Sequence, residues 1–247
     1  MGRLPTDADF PGKVKLSIVP PPAGDSATNV LVLLHGLGDN HESFTNLGKQ
    51  MKLPETVCIS IQGPQNLLGL GGFHWGDDII FDSTSGGLDA DSGFNQTTEL
   101  LKIIVKETLV GKCEYTLREI VFFGFGQGGM VALNTAVSLH QAAADASSGE
   151  LGGIISICGA LPSEAPASLA PKCKTPVLVC AGSQQSSVTP SSEDKLKHVF
   201  EFVETKRYRK HGDSMPSNRD EMMPIMQFLS RRLRSTKGVP AGGVEIG

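Results

Sequence analysis

A glycine-rich turn at Gly124–Gly128 joins an apolar, strand-like run to a helical pattern. A strand–turn–helix unit of the form G-x-S-x-G exposes a nucleophilic serine at the top of a sheet. Here both outer glycines are present, but the middle position is Gly126. The sequence therefore predicts the backbone frame of nucleophilic catalysis without its nucleophile.

A second motif that could contribute to catalysis, LLHGLGDN, ends an earlier apolar run. In a nucleophile-elbow fold, a turn of this type supplies one backbone N–H to the oxyanion hole, and the residue after the nucleophile supplies another. By position these donors are Leu37 and Gln127. His35 is interpreted as a structural turn residue rather than a base, because it lies at a strand end and not in a late loop.

These motifs need a sheet to position them, and the chain alternates short apolar runs with helical patterns. Strands are predicted at 14–19, 29–36, 56–63, 119–126, 152–159, 175–182 and 202–210. Helices are predicted near 94–109, directly after the glycine turn, and at 192–200 and 219–234. This alternation indicates an α/β fold with a mostly parallel, twisted sheet and helices on both faces. The charged last strand is expected near an edge.

The amino-acid composition narrows the classes of protein to which the chain can belong. The 247 residues suit one α/β domain, predicted over 13–234 between a flexible N-terminus (1–12) and a flexible tail (235–247). A net charge of −4 argues against nucleic acid as a partner. No apolar run is long enough for a transmembrane segment, and no secretory signal is visible.

Cysteine and histidine usage indicates neither a disulfide framework nor a metal site. The five cysteines form no C-x-x-C pair, and no Cys/His cluster has metal-ligand spacing. Reduced thiols are typical of a cytoplasmic protein, which is the predicted location. The basic run Arg231–Ser235 is interpreted as a solvated helix end, with a phosphate or membrane patch as the minor alternative. The oligomeric state stays open.

Taken together, the motifs resemble those of acyl-protein thioesterases and related carboxylesterase/phospholipase-like proteins, a group of the α/β-hydrolase superfamily. The resemblance spans 29–233 and rests on LLHGLGD, FHWGDDI, DADSGFNQTTELL, GFGQGG, SICGALP and EMMPIMQFL, in that order. It implies an α/β-hydrolase fold, no cofactor, and an acyl chain or acylated protein as ligand. It also places Phe73 and Trp75 beside an acyl pocket, although simple core packing explains both residues equally well.

Three positions depart from the pattern that the resemblance implies. Gly126 stands where the family has serine, and Gln185 lies nearest the position of the family's aspartate. The family's histidine is expected about five residues after Tyr208, where this chain has Asp213, and the only local histidine is His211. The triad is therefore predicted to be degenerate.

Three function classes follow from these departures. The first is a catalytically impaired pseudo-hydrolase that retains an acyl or protein binding site. The second is an esterase or thioesterase in which His211 or Asp213 activates a water molecule. The third is a scaffold that uses its outer surface, with the enlarged loop at 141–150 as the candidate contact. In the first class, Gly126 keeps the turn and relieves the backbone strain that a serine would carry.

Overall fold

The computed structural model describes residues 2–67, 69–81, 86–143 and 149–237. Within them, a sheet of seven strands has the order β1-β3-β2-β6-β7-β8-β9. The strands are β1 (Leu16–Val19), β2 (Asn29–Leu34), β3 (Thr56–Ile61), β6 (Ile120–Phe125), β7 (Gly153–Ile157), β8 (Val177–Gln184) and β9 (Val203–His211). Only β1 pairs antiparallel in this sheet. The short strands β4 (Gln65–Asn66) and β5 (Phe73–His74) form a separate hairpin.

Helices cover both faces of the sheet. They are α1 (His41–Met51), α2 (Asn95–Ile103), α3 (Gln127–Gln141), α4 (Pro190–Val199) and α5 (Arg219–Arg232), and α2 continues as a π-helical segment over Ile104–Lys112. One buried cluster lies between the sheet and α2, α3 and α4, and the other between the sheet and α1 and α5. The predicted α/β-hydrolase architecture is confirmed, and β9 lies at the predicted edge.

The strand order explains why the candidate residues meet. Strands β2, β6, β7, β8 and β9 run parallel, so their carboxyl ends share one edge of the sheet. The turn after β2, the glycine turn after β6 and the loops after β8 and β9 all begin at that edge. We call it the carboxyl edge, and the opposite side the amino edge.

The described parts of both predicted flexible ends are tied to the domain. Arg3 pairs with Asp9 at 2.5 Å, and Phe10 packs in the core. At the other end, the Ser235 hydroxyl donates to Glu55 at 2.5 Å, and Lys237 pairs with Asp25 at 2.7 Å. Specific side-chain partners therefore hold these segments, whereas 238–247 lie outside the described residues. In the loop predicted at 141–150, residue 141 still belongs to α3, and 144–148 lie outside the description.

Candidate functional site at the carboxyl edge

Gly126 occupies the turn between β6 and α3 with φ 50° and ψ −119°, a backbone conformation that side-chain-bearing residues rarely adopt. Its N–H donates to the carbonyl of Ile157 at 2.8 Å, which fixes the turn against β7. A Cβ placed on Gly126 meets no atom within 4 Å. The turn therefore has the strained geometry of a nucleophile position, with open space where a side chain would project.

The two flanking glycines are required by close packing instead. A Cβ on Gly128 would lie 2.3 Å from the carbonyl oxygen of Leu34, and one on Gly124 would lie 2.3 Å from the Gly128 backbone. These contacts bring β2, β6 and the start of α3 together. The G-x-G-x-G spacing thus builds the turn, while a side chain at its centre would meet no neighbouring atom and would be opposed only by the backbone conformation.

The predicted oxyanion-hole residues Leu37 and Gln127 line one small cavity. Gln127 is the first residue of α3, so its amide has no acceptor within the helix. Among the described residues, neither the Leu37 nor the Gln127 amide donates a hydrogen bond. The buried Gln127 side chain accepts from the Trp75 amide at 3.1 Å and donates to the Ala90 carbonyl at 2.9 Å. The two residues therefore line one cavity, and two hydrogen bonds fix the Gln127 side chain beside it.

His35 is fully buried and has a structural role. Its Nδ1 lies 2.7 Å from the Gly36 carbonyl oxygen, and its Nε2 accepts from the Gly63 amide at 2.8 Å. These partners assign the proton to Nδ1. Burial lowers the pKa of His35, so the neutral ring is favoured. A neutral imidazole with both nitrogens engaged holds the strand end and has no nitrogen available to act as a base.

Trp75 lies in the core, with no exposed surface. Its indole N–H donates to the His35 carbonyl at 2.7 Å, and its own carbonyl accepts from the Thr97 hydroxyl at 2.5 Å. This arrangement favours the packing alternative for Trp75. Phe73, in β5, is half-buried, and its place in an acyl pocket stays a prediction.

The loops after β8 and β9 hold no carboxylate–histidine pair. Gln185 follows β8, is exposed and has φ 50°. His211 is the last residue of β9, is exposed and lies opposite Gln184 in the strand register. Asp213 instead faces the other loop: its Oδ1 accepts from the Ser186 hydroxyl at 2.6 Å, and its Oδ2 accepts from the Ser187 amide at 2.7 Å. We call Ser186, Ser187 and Asp213 the loop clasp.

Electrostatics in the loop clasp favour an ionised, non-basic Asp213. Burial alone would raise the pKa of Asp213, but the hydrogen bonds from Ser186 and Ser187 outweigh it and hold that pKa below its ordinary value. The neighbouring Cys158 is buried, and desolvation raises the pKa of its thiol to about 12. Cys158 is thus a neutral thiol, and Asp213 is a weak proton acceptor.

The structure also brings His74 to this cavity, a residue to which sequence reasoning gave no role. His74 is buried and lines the cavity together with Leu37, Gln127 and Asp78. Burial lowers the pKa of His74, which favours its neutral form. The sequence could have suggested His74, because it directly precedes Trp75 in a stretch that the resemblance places beside the acyl pocket.

Several exposed apolar side chains lie beside the cavity. Leu70, Ile79, Ile80 and Phe81 are exposed, and Phe81 shows 69% of its surface. The cavity itself, which Ile79 and Ile80 also line, measures only about 10 Å³. That volume is close to the minimum for a single water molecule, so it holds no acyl chain as it stands.

No group of three or more His, Cys, Asp or Glu side chains is arranged to hold a metal ion in 2–67, 69–81, 86–143 or 149–237. Across the same ranges, no helix is both long and apolar enough to span a bilayer.

Comparison with known proteins agrees with the observed fold. Residues 16–233 match the model of the phospholipase/carboxylesterase family. An uncharacterized hydrolase of Schizosaccharomyces pombe is 33% identical over 217 residues, which cover 85% of each chain. An uncharacterized hydrolase of Mycosarcoma maydis is 37% identical over 135 residues, which cover 53% of this chain and 49% of that protein.

Solved structures support the same fold. The esterase PE8 has a TM-score of 0.68 at 22% identity, and acyl-protein thioesterase 2 of Zea mays has 0.62 at 21%. Each alignment covers 89% of this chain and 99% of the other. The resemblance inferred from the motifs is confirmed: the chain belongs to the phospholipase/carboxylesterase family.

Proposed function

We propose that this protein is a pseudo-hydrolase of its family, which binds an acyl group at the carboxyl edge without cleaving its ester or thioester bond. The observation that carries the proposal is Gly126. It holds the strained turn conformation of a nucleophile position, with space for a side chain, and has no side-chain atom to attack a carbonyl. Covalent acyl transfer requires a hydroxyl or thiol at that point, within reach of a base.

Neighbouring groups do not replace the missing serine. The Ser186 and Ser187 hydroxyls lie 2.6 and 2.7 Å from Asp213 carboxylate oxygens, on a different loop from the glycine turn. An ionised aspartate, with an ordinary pKa of about 3.9, is a poor base compared with histidine at about 6.5. Cys158 is a buried, neutral thiol and therefore not an activated nucleophile.

The acyl-binding half of the proposal rests on the exposed apolar residues Leu70, Ile79, Ile80 and Phe81. Exposed apolar patches of this kind mark binding surfaces in many proteins. Because the cavity behind them is only about 10 Å³, we place the acyl chain against these side chains and not in the cavity. An acyl group on a peptide or protein supplies the complementary apolar surface.

The water-activating alternative draws on the Leu37 and Gln127 amides, which would stabilise an oxyanion. It needs a base, and the described candidates serve poorly. The Asp213 carboxylate accepts hydrogen bonds from the loop clasp, and His211 lies exposed at the end of β9. The scaffold alternative depends on the loop at 141–150, of which 144–148 lie outside the described residues. It stays a prediction.

A cytoplasmic location is part of the proposal. The chain contains five cysteines, and each is a buried free thiol: Cys58, Cys113, Cys158, Cys173 and Cys180. Burial raises the pKa of each of them, which keeps the thiols protonated and unreactive. Such a set suits a reducing compartment.

The experiment measures binding and turnover with one ligand pair. A palmitoylated, amide-capped peptide without acidic residues is offered as a thioester, and as a hydrolysis-resistant ether analogue for equilibrium binding. We expect saturable binding of the analogue and no saturable release of palmitate from the thioester. Phe81→Ser should weaken binding about tenfold, since it removes a large apolar contact worth 1.5 kcal/mol or more.

Ile103→Ser is the matched control, because Ile103, the last residue of α2, is also exposed and lines neither this cavity nor the one at the amino edge. It should leave affinity for the peptide unchanged. Equal affinity in the protein and its Phe81→Ser variant would contradict the acyl site. Saturable palmitate release that depends on His211 or Asp213 would overturn the inactive assignment and support the water-activating alternative.

A further inference from the structure

The amino edge carries a cavity that the proposed function does not use. It measures about 500 Å³, within the range of small-molecule sites. Its walls come from the segments that precede β6, β7, β8 and β9 and from the end of α5. Gly126 follows the carboxyl end of β6, whereas this cavity lies at the amino ends of the strands. The two sites are therefore at opposite ends of the sheet.

Positive charge concentrates in this cavity, although the chain as a whole has a net charge of −4. The cationic lining residues outnumber the acidic ones and are Arg118, Lys174, Arg231 and Arg232, against Glu150 and Glu204. Glu204 is fully engaged, because both of its oxygens accept from Arg231 at 2.6 and 2.8 Å. The cavity therefore attracts anions despite the overall acidity of the protein.

Arg232 supplies a donor without a partner. Within the described residues, its Nε is buried and makes no hydrogen bond. Buried guanidinium nitrogens are rarely left unsatisfied, because desolvation of an unpaired donor is costly. Nε and a terminal nitrogen together form the fork that receives a carboxylate or phosphate with two parallel hydrogen bonds. Arg232 lines the cavity, so an anion there would meet a guanidinium whose Nε is otherwise unpaired.

Glu150 is the acidic group that an anion would meet here. Its Oε1 is also buried without a partner among the described residues, and burial raises its pKa. Desolvation thus shifts Glu150 toward its neutral form, which repels an anion less than the carboxylate does. The net balance remains positive, with Lys174 near Glu150.

The same cavity has an apolar wall. Phe202 lines it and leaves 51% of its surface exposed, and Phe228 lies behind it together with Leu151 and Pro176. An exposed aromatic ring at the rim of a charged cavity suits a ligand with an apolar body. Simple inorganic anions would leave this wall uncovered.

We propose that the amino-edge cavity binds an amphipathic anion, with its carboxylate or phosphate on Arg232 and its apolar body on Phe202. This inference is independent of the acyl site at the carboxyl edge. Both headgroups share the required chemistry, so the experiment separates them. The probes are octanoate, octyl phosphate, inorganic phosphate and the neutral octyl glucoside, each titrated calorimetrically into the full chain.

We expect saturable binding of octanoate or octyl phosphate, and at least tenfold weaker binding of octyl glucoside and inorganic phosphate. Arg232→Gln should weaken binding of the anionic probe by about tenfold to a hundredfold, as loss of a charge-assisted contact predicts. Phe202→Ser should weaken octyl phosphate more than inorganic phosphate. The preferred headgroup identifies the ligand as a carboxylate or a phosphate.

Arg219→Gln is the matched control, because Arg219 begins the same helix, is exposed and does not line the cavity. It should leave affinity unchanged, and the thermal midpoint of each variant shows whether it is folded. Two results would overturn the proposal. One is no saturable binding of either amphipathic anion, and the other is binding that a folded Arg232→Gln variant retains in full.

Discussion

The glycine turn after β6 and the loop clasp after β8 and β9 lie at the same edge of the sheet, but they meet the demands of hydrolysis differently. At the turn, Gly126 keeps the strained backbone of a nucleophile position, and Leu37 and Gln127 offer amides beside a cavity. In the loop clasp, an aspartate accepts hydrogen bonds from serines, where catalysis needs a histidine supported by an acid.

The two regions differ in the interactions that hold them in place. The turn is held by packing, since Gly124 and Gly128 permit backbone contacts that no larger residue allows. It keeps its shape whether or not a nucleophile is present. The acid and base loops depend on each other, and the loop clasp joins them through a different set of side chains. In the proposed pseudo-hydrolase, the nucleophile turn is thus kept although the acid–base pair is not.

The first test of this difference disturbs the packing that holds the turn. Gly128→Ala should cost about 3 kcal/mol of unfolding free energy, because its Cβ would lie 2.3 Å from the Leu34 carbonyl oxygen. The gain in helix propensity, about 1 kcal/mol, is smaller. Urea denaturation measures the loss. Gly12→Ala is the control, as a Cβ there meets no atom within 4 Å; equal midpoints for both variants would contradict a packing role.

The second test removes the loop clasp. Asp213→Ala deletes an acceptor bound by the Ser186 hydroxyl and the Ser187 amide, so we expect a loss of about 2 kcal/mol in urea denaturation. Asp220→Ala, an exposed aspartate in the first turn of α5, is the control and should change little. A stability equal to that of the unaltered protein would show that Asp213 does not hold the loops.

The loop clasp also predicts a pH dependence. The pKa of Asp213 is lower in the folded than in the unfolded chain, so its stabilisation is fully present above the unfolded value of about 3.9. It is lost as the pH falls through the folded pKa. The stability difference between the protein and Asp213→Asn should therefore be constant from about pH 8 to 5 and shrink below about pH 4. A difference that grows on acidification would contradict the assignment.

The third test gives the turn its missing side chain. Gly126→Ser should lower stability by about 1 to 2 kcal/mol, because serine is strained at φ 50° while its side chain meets no neighbour. Gly126→Ala should cost a similar amount, since the backbone and not the hydroxyl is responsible. Thermal and urea midpoints measure both variants. A stabilised Gly126→Ser variant would refute the idea that glycine relieves strain here.

The smallest effect belongs to His211. The residue is exposed at the end of β9, so His211→Ala should change unfolding free energy by less than about 0.5 kcal/mol. It should also leave any background ester cleavage unchanged, since the ring lies outside the loop clasp. Selective loss of cleavage in this variant would identify His211 as a base.

Much of the fold and of the glycine turn could be predicted from the sequence, because the sequence patterns that indicate them are local. Alternating apolar strands and helical patterns indicated the parallel sheet. The turn motifs pointed to Gly126, Leu37 and Gln127, which the structure places near one cavity, and their roles stay predictions. The loop clasp was not predictable, because the contact between Ser186 and Asp213 depends on the register of β8 and β9. Trp75 was ambiguous for a similar reason, since a short hairpin decides which way its ring points.

The amino-edge cavity is a second feature that could not be predicted from the sequence. Arg231–Ser235 resembles an ordinary solvated helix end when read alone. Its chemistry becomes apparent only when Lys174, Phe202 and Glu150 are brought beside it from the segments that precede three different strands. Sites assembled from several distant segments carry little local signal, however strong their charge.

The most direct test of the central claim compares hydrolysis of short- and long-chain thioesters and oxyesters by three proteins: the unaltered chain, Gly126→Ser, and Gly126→Ser with Gln185→Asp. We predict no saturable turnover by the unaltered chain. We also predict no rescue by serine alone, because Asp213 is not a competent base, and little rescue with Gln185→Asp, because the histidine is still absent. Saturable, stereoselective turnover by the unaltered chain would contradict the pseudo-hydrolase assignment.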